Sequence, residues 1–140
     1  MTSLVERQER REAIAGLQAV MQAMPQIHTE AIHHFAHGVY VREFRARAGS
    51  LVVGKLHRYS CVNIILSGSA EVRTEDESLF LTAGDVFVSK PGAKRAVLVT
   101  EDIRWLTVHP AGTTDLEDLE NDLIAPSFDD LPPTMLEADL

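Results

Sequence analysis

Between Ala31 and His109 the chain is interrupted at intervals of roughly 8–12 residues by turn-forming residues, and the stretches between them are short and rich in β-branched side chains. The interruptions are Ala48-Gly49-Ser50, Ser67-Gly68-Ser69, Glu75-Asp76-Glu77, Ala83-Gly84-Asp85, Pro91-Gly92-Ala93 and Glu101-Asp102. Nothing constrains the fold more. Segments this short cannot be independent helices, and many evenly spaced strands close into a sandwich or barrel. The spacing predicts strands over 31–36, 39–46, 50–57, 61–67, 69–74, 78–82, 85–90, 94–100 and 103–109. Alternation then nominates Val62/Ile64/Leu66, Leu79/Leu81, Val86/Val88 and Val97/Val99 as inward sets.

The flanks are helical in character. Ser3 and Glu6 form a capping box, after which Ile14, Leu17, Val20/Met21 and Met24 recur at helical spacing until Pro25, so a helix is expected over 4–24. Glu6, Glu9 and Glu12 alternate with Arg7, Arg10 and Arg11, the pattern of a salt-bridged face. This helix either packs on its own domain or docks on a neighbouring subunit. After the strands, Thr114 or Asp115 can cap a short helix placing Leu116, Leu119, Leu123 and Ile124 on one face. The remainder, from Pro126 to Leu140, lacks the patterning to fold alone.

With 140 residues the chain suits one domain, divided into a helical arm (1–29), a barrel (30–110) and an acidic helix and tail (111–140). All 13 basic residues precede position 110, whereas nine of the 21 acids follow it, so the tail is acidic and the body near neutral. Without a basic stripe, nucleic acid is not an expected partner. No apolar run reaches the roughly 18 residues of a membrane span, and the charged start does not read as a signal peptide. Cys61, alone, cannot form an internal disulfide, which fits synthesis in a cytoplasm.

Three segments carry more than a core needs: Lys55-Leu56-His57-Arg58-Tyr59-Ser60-Cys61, the Gly84-Asp85 turn leading to Lys90-Pro91-Gly92, and Trp105-Leu106-Thr107-Val108-His109. Over residues 38–109 the chain resembles the cupin superfamily, whose motifs are G-x5-H-x-H-x3,4-E-x6-G and G-x5-P-x-G-x2-H-x3-N. The resemblance implies an all-β, cupin-like double-stranded β-helix, a jelly-roll barrel with the helices at its ends. With Gly68 closing the first motif, its histidines fall on Lys55 and His57 and its glutamate on Cys61. With Gly84 opening the second, its proline falls on Lys90, with Pro91 one step late, its glycine on Gly92 and its histidine on Arg95. A cupin centre uses three imidazoles and a carboxylate, and only His57 stays in register. Lys55 and Arg95 would repel a divalent ion if they point into the barrel.

Several blocks in order (HHFAHGVYVREF, GKLHRYSCVNIILSG, SKPGAKRAVLVTEDIRWLTVHP) also resemble small cupin-like proteins of tailed-phage genomes, in which the Cys61 position is commonly histidine. That pattern suggests His57, Cys61 and His109 as ligands of one zinc, iron or manganese ion, with Lys55, Tyr59, Arg95 and Trp105 shaping the pocket. The alternative is a hydrogen-bonded pocket histidine beside a small buried thiol, with no cofactor. Of the neighbours His33 and His34, at most one can enter the barrel. No serine lies in a G-x-S-x-G setting, no glycine loop cradles phosphate, and Asp76/Glu77 fall in a turn where charge is solvated. The expectation is a non-enzymatic, phage-type accessory or virion-associated protein made in a host cytoplasm. It would act as a homo-oligomer or virion subunit through its terminal segments. The competing expectation is a small metal-dependent enzyme or small-ligand binder using His57, Cys61 and His109.

Overall fold

The computed structural model describes residues 3–27 and 29–126, so the expectation placed on the tail beyond Pro126 falls outside the described residues. The elements run α1 (Leu4–Gln22), β1 (Glu30–Ala36), β2 (Val39–Ala46), β3 (Leu51–Val53), β4 (Leu56–His57), β5 (Cys61–Arg73), β6 (Ser78–Thr82), β7 (Val86–Ser89), β8 (Ala96–Pro110), α2 (Leu116–Leu123) and β9 (Ile124–Ala125). Every pairing is antiparallel, in the order β1-β2-β8-β5-β6, with β3 added to β8 and β7 to β5; β4 and β9 form a separate pair. The fold is therefore the expected all-β barrel with a helix at each end.

Two expected strand pairs are single strands. Residues 61–67 and 69–74 join in β5, and 94–100 and 103–109 join in β8, while the expected 50–57 strand divides into β3 and β4. Gly68 is what permits the first fusion. It sits at φ +85°, within a run of register shifts between Ile65 and Ala70, and a Cβ there would lie 2.1 Å from the Asp102 carbonyl oxygen. The irregularity changes parity: β5 turns Cys61, Asn63 and Ile65 inward before it, and Ala70 and Val72 after it.

Two of the inward sets are corrected by the observed burial. Val62, Ile64 and Leu66 do not fill the barrel, nor do Val86 and Val88, which are 64% and 65% exposed, whereas Leu81, Val97 and Val99 do. The core holds Ile65, Ala70, Val72, Leu81, Val97, Val99, Ile103 and Trp105, with Phe44 and Phe87 packed against it. Pairing carries Val41, Val108, Val62 and Val88 in one outward row and Glu43, Leu106, Ile64 and Val86 in the next. Both faces of these strands are apolar, so alternation alone cannot tell inside from outside.

The arginines of α1 reach across to the β5–β6 turn, correcting the expectation of a face salt-bridged within the helix. Arg7 meets Asp76 through Nε–Oδ1 (2.7 Å) and Nη2–Oδ2 (3.1 Å), and Arg7 and Arg11 both approach Glu75, whose Oε2 accepts from Lys94 N at 3.2 Å. Glu75 and Asp76 are thus engaged rather than simply solvated, while Glu77 is exposed. Ile14 is buried on the same side of the helix, while Leu4, Val5 and Val20 stay exposed. At the other end Leu119 and Leu123 pack on Tyr40, so the apolar face of α2 is used within the chain.

Gly68→Ala is expected to cost at least about 2 kcal/mol, since it adds both left-handed strain and a backbone clash. Urea unfolding checks this against Gly112→Ala, whose Cβ meets nothing within 4 Å; equal midpoints for the two variants would contradict it.

Candidate functional site

The inward positions of β2 are Tyr40, Arg42 and Phe44, and strand register sets a partner beside each. On one side β1 brings His33 opposite Arg42 and Ala31 opposite Phe44; on the other β8 brings His109, Thr107 and Trp105 opposite Tyr40, Arg42 and Phe44. β5 adds Asn63 beside Thr107. The two motif-bearing segments are tied together by the backbone, with Gly92 N donating to His57 O (2.9 Å) and Gly54 N to Arg95 O (3.0 Å). β9 pairs with β4, placing Ile124 opposite His57, and Arg58 N donates to Leu123 O at 2.8 Å. The acidic segment thus returns over the barrel mouth.

These elements enclose two cavities of about 230 and 210 Å³, both lined by Arg42, Lys55 and His57. The first lies beneath α2, with His33, Tyr40, His109, Leu119 and Leu123 in its wall, and there Lys55 pairs with the Glu120 carboxylate. The second is walled by Phe44, Val52, Val53, Val97, Arg95 and Trp105. Behind it the Asn63 carboxamide is buried, its Oδ1 accepting from Trp105 Nε1 (2.9 Å) and Arg95 Nη1 (3.3 Å), its Nδ2 donating to Cys61 O (3.2 Å). The Arg95 guanidinium lies 5.6 Å from the Trp105 ring centroid and 5.9 Å from that of Phe87.

The three residues suggested as metal ligands are neighbours. His57 Nδ1 is 3.7 Å from Cys61 Sγ, and the His57 and His109 rings meet edge to face at 5.2 Å. Two of them also have a partner outside the trio: Cys61 Sγ faces Ser89 Oγ at 3.1 Å, and His109 Nε2 faces Thr107 Oγ1 at 3.0 Å. Among the described residues no group of three or more His, Cys, Asp or Glu side chains has the arrangement to hold a metal ion. Of the expected pocket residues, Lys55, Arg95 and Trp105 line the cavities; Tyr59 is 48% exposed and lines neither. His33 faces the cavity and bonds Tyr40 Oη (2.7 Å), while His34 turns outward to Glu43.

Sequence reading missed Arg42, Asn63, Tyr40 and Glu120. The β2 alternation Tyr40-x-Arg42-x-Phe44 held the signal for Arg42; nothing local pointed to Glu120, which only the return of α2 brings to Lys55.

Burial pushes the His57 imidazole down to about 3, aided by His109, Arg95, Arg42 and Lys55, and burial and Arg42 lower His109 as well. Both rings are therefore neutral near pH 7. Because the folded state resists protonating His57 while the unfolded chain does not, stability should fall as pH drops from about 6.5 towards about 3. The stability difference between pH 7 and pH 4.5, read from urea midpoints, should narrow in His57→Gln; an unchanged difference would contradict a buried neutral ring.

No family model matches the chain, and no curated protein matches it. Solved structures do. A protein of unknown function from Rhizobium leguminosarum bv. viciae aligns at TM-score 0.52 and 17% identity, over 68% of this chain and 92% of that one. A cupin superfamily protein from Desulfitobacterium hafniense aligns at 0.51 and 16%, over 62% and 81%. The Clostridium difficile EutQ protein aligns at 0.51 and 13%, over 61% and 70%. None of these three bears the name of a phage or virion protein. At such identities the likeness speaks to architecture, and the architecture is that of a cupin-type barrel.

Proposed function

We propose that this barrel binds a small organic anion in the space where the cupin motifs imply a metal centre. The observation that carries the reading is Arg95: a largely enclosed guanidinium that Glu75 attracts without a direct ion pair and that bonds the neutral Asn63 carboxamide and Cys61, lining the same cavity as Arg42 and Lys55. A buried charge without a counter-ion is costly, and a bound anion would relieve that cost. The donor set does not fit a divalent ion. Two motif positions carry the cavity-lining cations Lys55 and Arg95, the one described carboxylate that lines a cavity with His57, Glu120, is paired with Lys55, and Cys61 and His109 have partners inside the wall. Neutral His57 then serves as a hydrogen-bonding group rather than a charge.

Calorimetric titration of the untagged protein with small carboxylates should show saturable binding. Arg42→Gln, at a half-buried position, should weaken it about 10-fold or more, the scale of one lost charge-assisted hydrogen bond. Binding unchanged in that variant, or no heat with any carboxylate, would overturn the reading.

A second reading concerns assembly, and the two outward aliphatic rows across β2, β8, β5 and β7 support it. The one charge within them, Glu43, is already paired with Arg45 and Arg104, so an identical face would meet little repulsion. We propose a second copy of the chain as the occupant. Sedimentation equilibrium should give a dimer that Val62→Lys with Val88→Lys converts to a folded monomer; a monomeric wild type would contradict it. The virion association implied by the phage-type resemblance belongs to this reading. Gradient-purified particles containing the protein at fixed stoichiometry would support it, and particles without it would end it.

A further inference from the structure

The two cavities differ in what they leave unsatisfied. Beneath α2 a carboxylate is already supplied, because Glu120 pairs with Lys55. On the Trp105 side Arg42, Lys55 and Arg95 all line the wall and no described Asp or Glu does. Arg42 and Lys55 also face Glu120 in the first cavity, so Arg95 is the cation that distinguishes the second, and the anion of the proposed function is assigned there.

The remaining walls of that cavity define the body of the ligand. Phe44, Trp105, Val52, Val53 and Val97 make an apolar wall, the Trp105 indole N–H being committed to Asn63, while Thr29 and Thr107 also lie in the lining, with the Thr107 hydroxyl facing His109. Arg95 lies over the Trp105 ring and bonds both Asn63 and Cys61, so its fork is held in place with the rest of its five N–H donors to offer. A planar guanidinium fork matches a carboxylate better than it matches a spherical ion. The size is also restrictive. The cavity is about 210 Å³, and an apolar cavity of about 150 Å³ is known to hold benzene, so one ring with a short acidic arm fills the space.

Resting on the anion-binding reading above, we propose that the Trp105-side cavity takes a small carboxylic acid carrying a single aromatic ring, with its carboxylate between Arg42 and Arg95 and its ring among Phe44, Trp105 and the three valines. Arg42, Lys55 and His57 line both cavities, so a second ring directed inward would meet the space that the Lys55–Glu120 pair occupies. Acids with two rings are expected to bind more weakly on that ground. Neutral His57 at the waist supplies a hydrogen bond to a ring substituent rather than a third charge.

The test is a calorimetric comparison of benzoate, phenylacetate, acetate, inorganic phosphate, benzamide and naphthoate on the full chain. Benzoate or phenylacetate should bind at least about 10-fold more tightly than acetate and than the uncharged benzamide, with phosphate and naphthoate weaker still, the scale expected from burying a ring and keeping a charged hydrogen bond. Val53→Trp, which fills the ring space, should abolish the advantage of benzoate over acetate while leaving acetate binding in place. Arg42→Gln should weaken both. Acetate or phosphate binding as tightly as benzoate, with sensitivity to Arg42→Gln, would overturn the aromatic class and leave the anion site standing. No binding by any anion would overturn both. Benzamide matching benzoate would show an apolar pocket indifferent to charge, which also defeats the proposal.

Discussion

The buried carboxamide of Asn63 is the interaction on which the arrangement of the cavity depends. From β5 it accepts from Trp105 on β8 and from Arg95 on the approach to β8, and donates to the Cys61 carbonyl. A carboxamide can do this in one orientation only, which fixes indole and guanidinium against each other in a low-dielectric wall. Arg95 is then oriented by a neutral group and lies over a neutral ring, with Glu75 attracting it but making no direct ion pair. A carboxylate at position 63 would accept the same bonds and neutralise it. The cavity keeps its positive character because the group that organises it has none of its own.

The same field governs the titrating groups. Arg42, Lys55 and Arg95 all disfavour a proton on His57, and desolvation acts in the same direction. An imidazole that binds neither proton nor counter-ion near neutral pH is a hydrogen-bonding surface. α2 contributes the opposite sign at one point, Glu120 on Lys55, and that pairing divides the space into a satisfied half and an unsatisfied half. An acidic segment that looks in sequence like a free tail therefore begins as part of the pocket wall.

Much of the fold was legible because turn punctuation is a local signal: Gly84 and the Pro91-Gly92 turn mark real ends of strands. What was not legible is parity. β5 reads Val62-Asn63-Ile64-Ile65-Leu66, apolar on both faces, and Gly68 interrupts alternation through a contact with Asp102 distant in sequence. The set Val62/Ile64/Leu66 was the natural inward choice by hydrophobicity, yet Asn63 is inside because its partners are. Motif alignment placed Lys55, His57 and Arg95 in the pocket segments, which the structure brings to one space, while Arg42, Asn63 and Glu120 matter through partners on other elements. Helix α1 shows the same limit: alternating Arg and Glu suggested pairs along the helix, and the stronger bonds go across to Asp76 and Glu75.

The central claim is that fixed cations have taken the place of a metal in organising this barrel. Elemental analysis of the untagged protein, purified without chelator, tests it most directly. The account predicts zinc, iron and manganese each far below one ion per chain, in wild type and in His57→Ala alike. Near-stoichiometric metal in the wild type that disappears in His57→Ala would contradict it.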